Sequence, residues 1–146
     1  MPRMLRTFME QTVFPMMAYR DGAKAMDWLV DAFGFEERRR LLADDGRLAH
    51  GELAISGSIV MLATPSAEYE GPQRHAERCA VARRWLEVPW IVDGVLVYVD
   101  DVAAHFDHAR SRGATILSLL EDGPGGRRYR VADIEGHRWM FAQRPG

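Results

Sequence analysis

The 146-residue sequence predicts an α+β fold built from two copies of one βαβββ module. Three observations predict it. Apolar residues fall at helical spacing in two places, each time just after a short strand-like run. The chain also matches itself when shifted by 79 residues: Gly34 falls on Gly113, Gly46 on Gly125, Gly57 on Gly136 and Met61 on Met140. The matched glycines put a helix end and two hairpin turns at the same places in each half. Finally, 47% hydrophobic and 27% charged residues suffice for a core and argue against wholesale disorder.

The first module spans residues 12–64. Thr12 to Tyr19 reads as a strand, and Pro15, lacking an N–H, places it at an edge or gives it an irregular start. Asp21 is positioned to cap a helix whose buried stripe is Ala25, Trp28, Leu29, Ala32 and Phe33. Gly34 ends that helix, since glycine takes the left-handed conformation cheaply. Phe35 to Leu42, Leu48 to Ile55 and Ser58 to Thr64 follow as strands, with turns at Asp44-Asp45-Gly46 and Ser56-Gly57.

The second module, residues 93–143, repeats this order. Val95 to Val99 is a strand, Asp101 a cap, and Val102 to Arg112 a helix with Val102, Phe106 and Ala109 on one side. Thr115 to Leu120, Arg127 to Ala132 and Arg138 to Gln143 are the closing strands. Tyr19 falls on Tyr98 and Asp21 on Asp100, or on Asp101 if the register near the first strand moves by one. Residues 65–92 are a connector too long for a bare link. A helix over Arg74 to Leu86 is expected within it, anchored by Ala82, Trp85 and Leu86. The whole chain is read as one domain, and the connector as an insertion that packs on it, covers its cavity or meets a second subunit.

Charge and composition exclude several functions. A net charge of −2 gives no footprint for nucleic acid. The arginine runs at 38–40, 83–84 and 127–128 read as solvated faces. A lone cysteine, Cys79, precludes an internal disulfide and fits a reducing cytosol. Arg3 and Arg6 are not followed by an apolar segment, so no secretory leader is expected, and no run approaches the roughly 20 apolar residues that span a bilayer. A cytoplasmic protein without a membrane partner is expected.

The phrasing of the first module, Tyr19-Arg20-Asp21-Gly22-Ala23-Lys24-Ala25, then Ala32-Phe33-Gly34, then His50-Gly51-Glu52-Leu53 and Gly57-Ser58-Ile59-Val60-Met61-Leu62, resembles the glyoxalase/bleomycin-resistance (vicinal oxygen chelate) superfamily, specifically its PhnB-like branch. The ending Asp133-Ile134-Glu135-Gly136-His137-Arg138-Trp139 resembles that branch's closing strand. The resemblance runs from about Thr12 to Gln143. It implies a curved mixed sheet around a cup-like cavity, and relatives that often dimerise, hence a homodimer. It also implies a divalent metal held by one ligand from each first strand, usually His, and one from each last strand, usually Glu. Here those positions fall on Phe14, Gly94, Met61 and Met140. Phe and Gly offer no donor, and a thioether suits soft ions rather than Mg, Mn, Zn or Fe(II). No metal and no other cofactor is therefore expected. A one-residue slip in the second module would bring in Asp93, a single carboxylate.

The remaining polar residues set out the candidates. His50 and Glu52 lie two apart on one strand, so they share a face and suit an acid/base pair or a plain hydrogen-bonded pair. His137, with Glu135, is a further catalytic candidate. His75 and Cys79, four apart on the connector helix, have metal-like spacing but are too few for a zinc site. His105 and His108 are expected to face water. Arg128 or Arg130 could hold an anionic group through a bidentate contact. Trp139 and His137 share one face of the last strand and Met140 the other. Phe14, Met61, Tyr98, Arg128, Trp139 and Met140 are the candidate ligand-binding residues, with Trp85 and Trp90 adding aromatic surface; the alternative is that the apolar ones are core. Three functions remain open. One is a module that binds a small hydrophobic or aromatic ligand. Another is a lyase, isomerase or dioxygenase-type enzyme with a displaced site. The last is an interface protein using the connector patch Trp85-Leu86-Val88-Pro89-Trp90.

Overall fold

The computed structural model describes residues 10–90 and 93–146. Arg3, Arg6 and the last two connector residues fall outside the described residues. The chain divides into two compact units, Met1–Tyr69 and Glu70–Gly146.

The first unit runs β1 (Met16–Ala18), α1 (Gly22–Phe33), β2 (Glu36–Leu42), β3 (Leu48–Ile55) and β4 (Ser58–Ala63). Its sheet has the order β1-β4-β3-β2, with β1 parallel to β4 and the other pairs antiparallel. The first strand is shorter than expected and begins just after Pro15, at one end of the sheet. Asp21 caps α1 by accepting from the Lys24 N–H, and Gly34 closes it at φ 79°. The helix lays Ala25, Met26, Leu29, Ala32 and Phe33 into the core, while Trp28 is only half-buried and meets Phe33 edge-on. Each large side chain so buried contributes about 1.5–3 kcal/mol. The helix comes so close to the sheet at Gly51 that a Cβ there would lie 2.6 Å from the Met26 sulfur.

The second unit opens with α2 (Pro72–Arg78) and α3 (Ala80–Trp85). It continues with β5 (Gly94–Tyr98), α4 (Val102–Ser111), β6 (Thr115–Ile116), β7 (Glu121–Gly123), β8 (Gly126–Ala132) and β9 (Arg138–Gln143). The sheet order is β5-β9-β8-β6, and β7 also pairs with β8. β5 runs parallel to β9, so this sheet too is mixed. Asp101 caps α4 through the Ala104 N–H, and Val102, Phe106 and Ala109 are buried as expected.

Four sequence expectations need correction. The connector helix is two short helices, because Cys79 between them is extended at φ −132°, ψ 114°. His75 and Cys79 therefore do not share a helical face. The expected strand 115–120 is split, because the Leu117 and Ser118 N–H groups both turn to the Arg130 carbonyl. Tyr19 corresponds to Val99 rather than Tyr98: their N–H groups bond Ala63 and Ala142, which are themselves equivalent. The extra residue lies in the helix, α1 being longer than α4. Finally, the left-handed glycine of the second β-turn is Gly126, not Gly125.

Register exposes a further shift. Glu52 pairs with Met61 on β4, and Arg130 pairs with Met140 on β9. Hence Glu52 corresponds to Arg130, His50 to Arg128 and Gly51 to Tyr129. The slip is taken up in the turn before β9. In unit one, Ser56 (φ 51°) and Gly57 make a tight two-residue turn. In unit two, the buried Asp133 holds a five-residue loop: its Oδ1 accepts from the Glu135 and His137 N–H groups and its Oδ2 from the Trp139 indole.

Candidate functional site

Each sheet has one face packed by its helix and one face turned away from it. Strand alternation assigns the side chains. In unit one, Gly51 faces α1 through Met26, and Arg40, its partner across β2 and β3, reaches Asp27 of α1. The other face therefore carries His50, Glu52 and Met61, with Met16 paired beside Met61.

Glu52 is the polar centre of that face. It is 3% exposed. Its Oε1 accepts from Arg38, the extra residue of a β2 bulge between Glu37 and Arg39, and its Oε2 lies 3.0 Å from His50 Nε2. Both carboxylate oxygens are thus engaged by side chains of the same sheet. The structure brings His50 and Glu52 together, as their spacing implies. It also adds Arg38, which its place in an arginine run assigns to a solvated face. Alternation cannot place Arg38, because the bulge breaks it.

In unit two, Tyr129 and Phe141 face α4. Phe106 meets Tyr129 edge-on, and His105 Nδ1 lies 2.6 Å from the Tyr129 hydroxyl with its ring 4.0 Å from that of Phe141. His105 is therefore part of the packed layer rather than facing water, while His108 is exposed. Burial raises the Tyr129 phenol above its ordinary range. Trp139 shares this face and stacks on Phe141.

The opposite face carries Tyr98, Leu96, Arg128, Arg130, Arg138 and Met140. Arg128 and Arg130 both reach Glu121 Oε1, at 3.3 and 3.4 Å. Arg138 is buried and donates to the carbonyls of Val88 (2.6 Å) and Leu86 (2.7 Å), tying the connector to β9. Burial also pushes its guanidinium below its usual range. A cavity of about 220 Å³ opens beside it, walled by Pro89, Trp90, Leu96, Arg130, Arg138 and Met140 and bordered by Trp139. Tyr98 sits apart from that cavity, under the Arg144 guanidinium at 3.9 Å.

Of the candidate ligand-binding residues, Met61 thus lies on the free face of unit one, and Tyr98, Arg128 and Met140 on that of unit two. Phe14 precedes β1 and is half-buried. His137 lies in the turn before β9, its N–H given to Asp133. Sequence reasoning missed Arg138 and Asp133. Arg138 was findable, being two residues before Met140 on one strand.

Among the described residues, no three His, Cys, Asp or Glu side chains gather into a group that could hold a metal ion. No described helix is long and apolar enough to cross a membrane.

Comparison with known proteins bears on this arrangement. Residues 11–141 match the model of the Glyoxalase/Bleomycin resistance protein/Dioxygenase superfamily. The chain is 34% identical, over 92% of its length, to an uncharacterised protein of Mycobacterium bovis, covering 84% of that protein. Its structure is similar to TioX from Micromonospora sp. ML1, with a TM-score of 0.67, 34% identity, and 93% and 98% of the two chains covered. It shares its fold with TnmS3, an antibiotic binding protein from Streptomyces sp. CB03234, with a TM-score of 0.61, 20% identity and coverage of 93% and 98%.

Proposed function

We propose a ligand-binding role from one settled premise: the chain belongs to the glyoxalase/bleomycin resistance protein/dioxygenase superfamily. The protein binds a small hydrophobic or aromatic compound on a sheet face turned away from its helix, and it does so without a metal ion. One observation carries this reading. The two units have Met61 and Met140 at equivalent positions, which the resemblance aligns with the metal-binding Glu usual in the superfamily's enzymes. Each methionine is flanked by apolar surface, Met16 being 81% exposed and Leu96 48%. A flexible thioether beside exposed apolar side chains suits adaptable, greasy contacts. The antibiotic-binding relative of the same fold adds support.

The metal-free part rests on the donor set. Phe14, Gly94, Met61 and Met140 do not fit a hard divalent ion. The resemblance to the PhnB-like branch and a homodimeric, cytoplasmic protein belong to the same reading. The single cysteine and the net charge of −2 support the last of these and a lack of nucleic-acid partners.

A second reading is an acid/base enzyme of lyase, isomerase or dioxygenase type. The 3.0 Å contact between His50 and Glu52 favours it. Against it, Arg38 and His50 each engage one oxygen of Glu52, which suits a structural ion-paired cluster as well as a catalytic one. A thermal-shift screen of aromatic and antibiotic-like compounds separates the two. Binding of an unaltered compound, weakened in Met61→Ala or Met140→Ala, supports the first reading. Turnover of a bound compound that is lost in His50→Ala would replace it with the second.

A further inference from the structure

The cavity beside Arg138 has a sign of charge as well as a shape. Three arginines, Arg128, Arg130 and Arg138, stand on this face of the second sheet. Glu121 is the carboxylate that Arg128 and Arg130 share. Arg138, 5% exposed, is answered by two neutral carbonyls. Its Nε is buried and has no hydrogen-bond partner among the described residues. A buried cation matched only by dipoles is costly, and it creates a positive potential in the low-dielectric space next to it. That space is the cavity of about 220 Å³. One wall is the Trp90 ring, 68% exposed and 5.8 Å from the Arg130 guanidinium carbon. Leu96 and Met140 add apolar lining. Since roughly 150 Å³ of apolar space accepts benzene, one or two fused rings fit here.

We propose that this cavity binds a planar aromatic carboxylate, its ring against Trp90, Leu96 and Met140 and its carboxylate at Arg130 above the buried charge of Arg138. This rests on the ligand-binding reading above and adds to it the acidic group that the ligand carries. Arg130 gives the direct contact; it is more exposed than Arg138, and its bond to Glu121 is long at 3.4 Å. Arg138 supplies a fixed field and positions the connector, since the carbonyls it holds lie just before Pro89 and Trp90.

The test is calorimetric titration with two probes of equal shape, 2-naphthoate and neutral 2-naphthamide, on the full chain. The proposal expects 2-naphthoate to bind at least about tenfold more tightly, the size of a charge-assisted hydrogen bond. Arg130→Gln should abolish that preference and leave 2-naphthamide affinity intact. Trp90→Ala, at an exposed position, should weaken both probes severalfold. Arg138→Met should reduce the preference too; should it not fold, Arg130→Gln decides. Equal affinity for the two probes, both weakened by Trp90→Ala, overturns the acidic specificity and leaves the aromatic-binding role standing. A preference that survives Arg130→Gln, or no binding of either probe at millimolar concentration, overturns the proposed site. The broader role is then judged by the antibiotic-like screen alone.

Discussion

The two units share a module and differ in what they write on it. At the position paired with the last-strand methionine, unit one has Glu52 and unit two Arg130; two residues earlier, unit one has His50 and unit two Arg128. The first face is electrostatically closed, its carboxylate held between a guanidinium and an imidazole. The second has three arginines and a shared carboxylate. The helix-covered faces differ as well. Unit one brings its helix down onto Gly51, and unit two packs its helix on the Tyr129 ring at the equivalent place. Caps and left-handed glycines maintain the scaffold in both, which leaves the strand faces free to diverge toward a ligand.

The largest expected effect breaks the turn that distinguishes the units. Asp133→Ala removes the carboxylate that accepts from the Glu135 and His137 N–H groups and the Trp139 indole. Unfolding by urea should show a loss of about 3 kcal/mol. Next comes the closed face of unit one. Glu52→Gln removes the Glu52 carboxylate from the part-buried Arg38, and the same measurement should fall by about 2 kcal/mol. A neutral Glu52→Gln would mean that the carboxylate does not hold this face closed.

A third change probes the packed layer of unit two. Tyr129→Phe removes the hydroxyl that meets His105 Nδ1 and should cost about 1 kcal/mol at neutral pH. Because burial raises the Tyr129 pKa, the folded state keeps a proton that the unfolded chain loses above the ordinary value of 10.0. Its contribution is complete below that pH and declines as pH rises beyond it. Stability of the native protein should thus fall in alkali, and Tyr129→Phe should flatten the decline. Unit one has Gly51, and no phenol, at the equivalent position. The smallest effect is a gain. Ser56 holds φ 51°, where asparagine is better tolerated, so Ser56→Asn should raise stability by about 0.5 kcal/mol.

Much of the scaffold was legible because it depends on local signals. Asp21, Asp101, Gly34 and Gly57 mark caps and turns by their own conformational preferences, and the two helical stripes by periodicity. What escaped depends on partners distant in sequence. The Arg38 bulge, the one-residue slip at Asp133 and the break at Cys79 are settled by how strands and connector pair, and no short window contains that. The uniform shift of 79 hid the slip, and with it the equivalence of Glu52 and Arg130. The candidate site was legible as a list of faces, since alternation separates Met140 from Trp139. Which of those faces the helix covers was fixed only by packing.

The central claim is that this protein binds its ligand without a metal. It is tested most directly by measuring the affinity of one aromatic ligand from the screen after exhaustive treatment with EDTA, and again after adding Mn²⁺, Fe²⁺, Ni²⁺ or Zn²⁺. Metal-free binding predicts the same dissociation constant throughout and near-zero metal by elemental mass spectrometry. Binding that vanishes with EDTA and returns with one of these ions, at about one metal per chain, would contradict it.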